Sequence, residues 1–421
     1  MRRVAMSVAV LALALAGCAV GGDDGGSPDA GGKTQVTFRL WDDQVAKAYE
    51  QSFAEFEKQN TDIDVKIELI PWADYWTKLT ADVGSGTVSD IFWTNTSNFG
   101  IYADNKSLLN IDEKLGDQKA DWQKSVVDLY TRDNVLWGVP QLWDSIALFY
   151  NKDLVSAAGV DPATLKWSPE GGAADTFLPA AQKLTKGSQF AFNASYDGQS
   201  IYWDFVGSNG GVWQNGDAYA FNTPENVKSI QYIVDLINKH HVSPSAADTN
   251  ENGDKVRDLF IQGKMALFQS GPYNLKNIQE GAQFEWGIAP MLEGPAGRVS
   301  VVHGVAAVGS AKTKHADETV KVLEWMGSAE GQKAIAEGGY AFPGVTAAQQ
   351  GFVDYWSKEG VDVKPFIDAA SGKTIPAPIG PRANAGATAV EPILKEVFLG
   401  RKPVADGLAE AEKAGNEAIK P

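Results

Sequence analysis

Alternating apolar and polar positions near residue 40 predict two strands with a helix between them. Residues 36–41 alternate, apolar side chains then recur at spacings of three and four over 46–56, and residues 63–69 alternate again. Alternation is typical of a strand with one buried face, and the three-four spacing is typical of a helix with one apolar side. Because the three elements are consecutive and short, they predict a βαβ unit and therefore a parallel sheet covered by helices.

Apolar runs later in the chain predict further elements in the same mixed pattern. An apolar stripe over 227–237 predicts a helix, and the chain from 329 onward is predicted to be mainly helical, with glycine and proline breaks. Further strands are predicted at 90–93, which ends in a polar loop at 94–98, and at 265–268 and 287–289.

Proline and glycine mark the places where the chain is expected to cross between domains. They punctuate the segment 162–179, directly after the apolar run at 147–151, and they occur again at 271–272. Clusters of these residues interrupt helices and strands. We therefore predict one crossing after the apolar run at 147–151 and a second near 271.

Composition is consistent with a globular protein of two domains. The 421 residues are 44% hydrophobic and 21% charged, which is enough for two buried cores and excludes a disordered chain. The chain has 37 basic and 53 acidic residues, a formal net charge of −16 and a pI of about 4.8. Such a surface repels phosphate backbones, so we expect no nucleic-acid partner.

Cysteine and histidine usage excludes several kinds of chemistry. Cys18 is the single cysteine, so no disulfide can form within the chain, and cysteine nucleophiles and cysteine-ligated zinc are excluded from the rest. The four histidines show no H-E-x-x-H arrangement. We expect neither a metal nor a cofactor.

Residues 1–17 have the pattern of a secretory leader. Arg2 and Arg3 precede an apolar run over 4–16, and the sequence Leu-Ala-Gly stands directly before Cys18. The run is shorter than the roughly 20 apolar residues that span a bilayer, so we expect cleavage and export. The alternative is an ordinary signal peptide in which the cysteine is incidental.

The end of the leader resembles the lipobox of bacterial lipoproteins. By that resemblance, Cys18 becomes the first residue of the mature chain and carries the lipid. The following residues, 18–35, are rich in glycine and aspartate, which predicts a flexible tether. The resemblance implies an extracytoplasmic protein held by this lipid at the outer face of the cytoplasmic membrane.

Several sequence blocks together resemble the maltose-binding-protein-like family, the carbohydrate-binding lipoproteins of bacterial ABC importers. The blocks are FRLW at 38–41, FAEFEK at 53–58, VGSG at 83–86, SDIF at 89–92, GVP at 138–140, LFYNKDL at 148–154, FIQGKMAL at 260–267, GP at 271–272 and LGRKP at 399–403. Their order covers nearly all of 36–421. One departure is Ser89, where the family usually has proline.

The resemblance implies an α/β fold with two lobes, a hinge and a ligand cleft between the lobes. Lobe one is expected at 36–146 and 271–327, and lobe two at 151–268 and 330–421. The implied function is capture of a sugar or oligosaccharide by hinge closure and delivery to ABC permease subunits that work with a cytoplasmic ATPase. We expect a monomer without catalytic residues.

Candidate sugar-binding residues combine hydrogen-bonding side chains with aromatic rings, because sugars offer both hydroxyls and C–H faces. Ligand sites of open α/β sheets lie beyond the carboxyl ends of strands. In lobe one the candidates are Trp41, Asp42, Asp43, Trp76, Trp93, Asn95, Asn98, Trp143 and Asp144. In lobe two they are Tyr196, Asp197 and Trp203, with Tyr273 where the family places a stacking aromatic and Arg382 and Asn384 at a family position that reaches the cleft. His303, in the returning lobe-one segment, is a weaker candidate.

Some of these residues have a structural alternative. Asp42 or Asp43 is also suited to capping the following helix. The stripe that contains Trp76 is also typical of a helix face packed in a core. The segment 248–254 matches the first half of a calcium loop, but Leu259 occupies the twelfth position, where such loops need a bidentate glutamate, so a polar loop is favoured.

Two other functions stay open at the level of sequence. Paired carboxylates among aromatic residues also describe a secreted glycoside hydrolase or lyase, whose two carboxyl groups must flank one bond. A receptor of the same fold for a polyamine, peptide or phosphorylated polyol is the other alternative.

Overall fold

A computed structural model describes residues 32–250, 254–380 and 382–420. The strands are β1 (Thr34–Leu40), β2 (Ile63–Leu69), β3 (Ile91–Asn95), β4 (Thr131–Arg132), β5 (Val135–Leu136), β6 (Val139–Asp144), β7 (Ala147–Asn151), β8 (Gln214–Asn215), β9 (Ala218–Tyr219), β10 (Leu267–Ser270), β11 (Trp286–Pro290), β12 (Val299–Val301), β13 (His303–Gly309) and β14 (Lys373–Ile375). The leader, Cys18 and most of the predicted tether lie outside the described residues.

The helices surround these strands. They are α1 (Asp43–Gln59), α2 (Trp72–Ser85), α3 (Thr96–Asp104), α4 (Asp112–Leu115), α5 (Lys124–Leu129), α6 (Lys152–Ala157), α7 (Phe177–Leu184), α8 (Trp203–Ser208), α9 (Pro224–Asn238), α10 (Ala246–Thr249), α11 (Asp254–Ile261), α12 (Leu275–Gly281), α13 (Ala316–Met326), α14 (Ala329–Glu337), α15 (Gln349–Lys358), α16 (Lys364–Ser371), α17 (Ala383–Phe398) and α18 (Val404–Ala418). A π-helical turn at Gly198–Tyr202 leads into α8. Among the described residues, no helix has the length and apolarity needed to cross a membrane.

The first sheet has the strand order β2-β1-β3-β13-β6. Strands β1 and β2 pair in parallel from Thr34 opposite Ile63 to Leu40 opposite Leu69, which confirms the predicted βαβ unit. Strand β13 runs antiparallel to both β3 and β6, so β1, β3 and β6 point the same way. All six residues of β6 are buried. The carboxyl ends of β1, β3 and β6 therefore lie at one edge of the sheet.

A second group of strands forms the other part of the molecule. Strand β7 pairs antiparallel with β10 on one side and β11 on the other, and β12 pairs in parallel with β14. Two hydrophobic cores accompany these sheets, one around Phe38, Tyr49 and Trp93, the other around Trp167 and Phe205. The two-lobed α/β fold predicted from the sequence is confirmed.

The chain crosses between the sheets at adjacent points that hydrogen bonds hold together. The first crossing, between β6 and β7, consists of Ser145 and Ile146. The Ser145 hydroxyl donates to the carbonyl of Phe366 in α16 (2.6 Å), and the Ile146 N–H donates to the hydroxyl of Ser300 in β12 (2.9 Å). Because β12 leads directly into β13, a second crossing lies beside the first. This grouping of crossings is the geometry of a hinge.

Pairing and packing correct some of the predicted boundaries. Strand β11 lies in the 271–327 segment predicted for lobe one, but it is hydrogen bonded to β7. Helix α14 lies in the segment predicted for lobe two, but its Gly331 carbonyl accepts from Ser52 of α1 (2.6 Å). Strand β1 begins at Thr34, inside the predicted tether. The polar loop predicted at 94–98 is instead the end of β3 and the first turn of α3.

Ser89, the departure from the family pattern, takes part in an ionic group around the buried Arg39. Its hydroxyl donates to Glu68 Oε2 (2.7 Å), and the same carboxylate accepts from Arg39 Nε (2.9 Å). Arg39 is 3% exposed and also pairs with Asp82 (2.8 Å). A buried cation needs such partners. Ser89 therefore orients the carboxylate that neutralises Arg39, a role that proline cannot fill.

Candidate functional site

The predicted polar residues of lobe one gather at the edge of the first sheet where the parallel strands end. Trp41 follows β1, Asn95 ends β3 and Asp144 ends β6. His303 begins the antiparallel β13 and lies opposite Asp144 in the strand register. This edge faces the π-helical turn and α8 of lobe two.

Asp144 is the buried carboxylate at the centre of this region. It is 6% exposed, and Oδ1 accepts a hydrogen bond from the Gln199 side-chain amide across the lobe interface (3.2 Å). Burial raises the pKa of Asp144 to about 7, because desolvation disfavours the charged form more than the hydrogen bond from Gln199 favours it. The carboxyl is therefore poised to accept donors from a bound molecule or to take up a proton.

Trp203 and His303 form a second contact between the lobes. Their rings stack with centroids 5.7 Å apart and planes 15° from parallel. His303 is 4% exposed, and burial lowers its pKa to about 4, so the imidazole is neutral at neutral pH. Trp203 keeps part of its surface exposed, as a ring that packs against a sugar face requires.

Three buried polar atoms in this region have no hydrogen-bond partner among the described residues. They are Trp143 Nε1, His303 Nε2 and Asp204 Oδ2. Asp204 is fully buried, its other oxygen accepts from the Val301 N–H (2.7 Å), and burial raises its pKa well above the usual range. Buried polar groups in native proteins normally have partners, so these three atoms are candidates for contact with a ligand.

Asp197 and Tyr273 lie near Asp144. Asp197 caps the π-helical turn, where it accepts from the Ser200 N–H (3.1 Å) and hydroxyl (2.6 Å). The Tyr273 hydroxyl accepts from Ser270 (3.3 Å). Burial raises the pKa of Tyr273 well above its usual value, and the charges of Asp197 and Asp144 add to this shift. Tyr273 therefore stays a neutral donor at the site.

Asn98 and Asn384 make the third contact between the lobes. The Asn384 side-chain amide in α17 donates to Asn98 Oδ1 in α3 (3.1 Å). Asn95 caps α3, because its side chain accepts from the Asn98 N–H (3.1 Å) and side-chain amide (2.8 Å). Arg382 is exposed, has a positive φ of 57°, and its guanidinium donates to the Lys420 carbonyl. Its guanidinium is thus directed to the end of the chain.

Trp41 is the centre of an aromatic cluster. Its ring lies 4.9 Å from Trp93, 5.3 Å from Trp76 and 5.4 Å from Trp72, measured between centroids. Trp93 is 1% exposed and belongs to the lobe-one core, which leaves no surface for a ligand. Trp41 and Trp76 are partly exposed. Their free surface is the part of this cluster that a sugar can reach.

The adjacent carboxylates Asp42 and Asp43 have different surroundings. Asp42 caps α1, since Oδ1 accepts from the N–H groups of Gln44 (2.9 Å) and Val45 (3.0 Å). Burial raises the pKa of Asp42, and these donors oppose that shift. Asp43 is exposed in the first turn of the helix. Of the two carboxylates, Asp42 therefore has the helix-capping role that the sequence analysis considered as an alternative to ligand binding. The Asp43 side chain is exposed.

Tyr196 and Trp143 are the two remaining candidates. Tyr196 stacks on Tyr202 (5.5 Å between centroids), so it supports the wall of lobe two. Trp143 packs edge-on against Phe342 (4.7 Å) beside Asp144. Gln199 was missed by the sequence analysis, although it lies between two residues that were considered, Asp197 and Trp203. Its only signal was that position in a polar, aromatic segment.

In the acidic segment 248–254, considered above as half of a calcium loop, Asp248 is hydrogen bonded to protein side chains. Asp248 accepts from Lys255 Nζ (2.6 Å) and from the Ser245 hydroxyl (2.7 Å). Residues 251–253 of this segment lie outside the described residues. In the ranges that the structure describes, no group of three or more acidic, histidine or cysteine side chains is arranged to hold a metal ion.

The cavity directly beside Asp144 is small. A cavity of ≈ 10 Å³ lies among Trp143, Asp144, Ser145, Pro272 and Phe342. It has room for about one water molecule and none for a sugar ring. Asp144, His303 and Asn98 each contact a residue of the other lobe, so the lobes are in a closed arrangement.

Comparison with known proteins identifies the family. The family model "Bacterial extracellular solute-binding protein" matches residues 42–333. UspC of M. tuberculosis is 44% identical, and its crystal structure covers 91% of this chain and 100% of its own with a TM-score of 0.71. The maltodextrin-binding protein MdxE of Bacillus subtilis is 26% identical over 82% of this chain and 81% of its own length.

A solved structure at lower identity supports the same fold. The ABC substrate-binding protein Lmo0181 of Listeria monocytogenes, solved in complex with cycloalternan, is 22% identical. It covers 91% of this chain and 98% of its own with a TM-score of 0.81. With a family model that matches well over half of its length, this chain belongs to the bacterial extracellular solute-binding proteins.

Proposed function

We propose that this protein captures a sugar or oligosaccharide between its two lobes and delivers it to the permease of an ABC importer. One observation carries the proposal. Polar and aromatic side chains of the two lobes meet at the strand ends, through Gln199 and Asp144, Trp203 and His303, and Asn384 and Asn98. Carboxylates and amides suit sugar hydroxyls, and aromatic planes suit the apolar faces of the rings.

The nature of the relatives supports a saccharide as the ligand. MdxE is named a maltodextrin-binding protein, and Lmo0181 was solved with cycloalternan. The Trp143 indole N–H supplies a donor for such a ligand, and His303 Nε2 and Asp204 Oδ2 supply two further polar atoms. Because these atoms are buried, a bound hydroxyl that satisfies them gains more than it would at the surface.

Hinge closure is the proposed mechanism. Gln199 of lobe two contacts Asp144, and the cavity beside Asp144 has a volume of only ≈ 10 Å³, so a sugar reaches this carboxylate through an opened cleft. Rotation about the adjacent crossings at 145–146 and 302 separates Gln199 from Asp144. A ligand that contacts both lobes binds the closed arrangement better and shifts the population toward it.

Anchoring and assembly complete the proposal. We propose a monomer, exported and held by a lipid on Cys18 at the outer face of the cytoplasmic membrane, where it meets a permease with a cytoplasmic ATPase. The members of the family are binding proteins, and we propose that this chain likewise lacks hydrolytic activity. Prolonged incubation with oligosaccharides tests that point, because product in excess of protein would reveal an enzyme.

The experiment that tests the function is a ligand panel read by thermal midpoint and intrinsic fluorescence. The chain from residue 18 with Cys18→Ser is mixed with mono-, di- and oligosaccharides, and with spermidine, a tripeptide and glycerol phosphate as controls. A ligand at 100 times its Kd adds about 2.7 kcal/mol of stability. A response to saccharides alone supports the proposal, and a response to a control alone overturns the choice of ligand.

A further inference from the structure

Trp72 is the most exposed large apolar side chain at the end of the first sheet. It is 50% exposed, and Leu69 nearby is 43% exposed. The Ile70 N–H donates to the Leu40 carbonyl (3.0 Å), which fixes this segment beside the carboxyl end of β1. Trp72 therefore lies at the same edge as the candidate sugar site, next to Trp41.

The Trp72 ring is held in place although half of it is in solvent. Its centroid lies 5.4 Å from Trp41 with planes at 71°, and 5.3 Å from Trp76 with planes at 90°. Such perpendicular arrangements are favourable for aromatic rings. A fixed indole with free surface is suited to pack against the C–H face of a sugar ring. Asp74, exposed in the same first turn of α2, offers an acceptor for hydroxyls.

The distance between this cluster and Asp144 exceeds one sugar unit. In the sheet order, β1 and β6 are three strand spacings apart, with β3 and β13 between them. At about 4.8 Å per spacing, the ends of these two strands lie about 14 Å apart. A single pyranose ring cannot contact both, whereas a chain of several sugar units can follow the edge from one to the other.

We propose that Trp72 is an outer stacking platform for the distal unit of an oligosaccharide whose inner units occupy the site at Asp144. This inference rests on the proposed function and narrows it to oligosaccharides. The platform contributes only when the ligand is long enough to reach it, so it sets the preference for chain length. An alternative occupant, the permease, is distinguished by the experiment below.

The test measures affinity against ligand length by isothermal titration calorimetry. Maltooligosaccharides of one to six units are the probes, with arabino-, galacto- and cello-oligosaccharides of the same lengths in parallel. Trp72→Ala is expected to weaken binding of the longest responding ligands about 3- to 10-fold, as loss of one aromatic contact does. Binding of the shortest responding ligand changes less than twofold. Trp72→Phe keeps most of the length preference.

A control variant and the possible contrary results distinguish failure of the Trp72 proposal from failure of the proposed function. Val212→Ala removes a side chain of similar exposure, 47%, in lobe two and leaves every affinity unchanged. Equal loss at all lengths, or no loss at any length, overturns the platform while the sugar receptor stands. No loss of affinity combined with impaired transport in cells assigns Trp72 to the permease instead. No saccharide binding by the unaltered chain overturns both proposals.

Discussion

The buried carboxyl of Asp144 predicts a specific dependence of stability on pH. Its pKa is raised from 3.8 to about 7 in the closed arrangement, while in the unfolded chain it returns to its ordinary value. Between these two values the folded protein binds a proton that the unfolded chain does not. Stability from this group is therefore highest at low pH, falls as the pH rises through this window, and is constant above pH 7.

The size of the effect follows from the shift. A pKa raised by about three units means that ionised Asp144 destabilises the folded protein by about 4 kcal/mol at pH 8. Lowering the pH to 5 recovers about 3 kcal/mol of this penalty. His303, whose pKa is lowered to about 4, acts in the opposite direction, since stability from a buried neutral histidine is lost as the pH falls below its unfolded value. Because both the unaltered protein and Asp144→Asn contain His303, the difference between their stabilities cancels the contribution of this histidine.

The assay compares the unliganded protein with Asp144→Asn, which keeps the shape but cannot ionise. Thermal midpoints are recorded at pH 5, 6, 7 and 8. The variant is expected to be the more stable protein at pH 8, and its advantage shrinks by a few degrees by pH 5. Asp43→Asn, in the exposed first turn of α1, serves as the control and shows no such change. An advantage of Asp144→Asn that stays constant from pH 8 to 5 would refute the reasoning.

Four further predictions concern binding, stability and anchoring. Asn384→Ala removes the hydrogen bond to Asn98 between the lobes, so calorimetry should show affinity reduced about fivefold, with Glu396→Ala near the other end of the same helix unchanged. Trp203→Ala should weaken saccharide binding at least tenfold while the unliganded thermal midpoint moves little; loss of folding with intact affinity would place this ring in the core. Ser89→Ala should cost about 1 kcal/mol in urea unfolding and leave affinity intact. Cys18→Ser should move the protein from the membrane fraction to the medium, and continued membrane association would contradict lipid anchoring.

Local patterns predicted the elements whose identity depends on nearby residues. The βαβ unit over 34–69 follows directly from side-chain spacing, and the structure confirms its parallel pairing. The capping alternative for Asp42 was also derived from adjacent residues, and it describes the observed hydrogen bonds. Such features depend on contacts within a few positions of the chain, which a sequence displays.

Contacts between residues that are far apart in the sequence could not be predicted in the same way. The partner of β11 is β7, more than a hundred residues away, and nothing in either strand specifies that pairing. Trp93 was a candidate for ligand binding because it ends an apolar strand, yet neighbouring aromatic rings from α1 and β1 bury it. Gln199 was missed because an amide carries no distinctive pattern. Its significance arises only from its contact with Asp144 across the interface.

The central claim, that the two lobes close on a saccharide, is tested most directly by titrating saccharides of defined length into the chain in a calorimeter. The account predicts one saccharide bound per protein molecule, no heat from spermidine, tripeptide or glycerol phosphate, and a large loss of affinity in Trp203→Ala. Binding of one of these controls in place of every saccharide would contradict the claim, and so would saccharide binding that Trp203→Ala leaves unchanged.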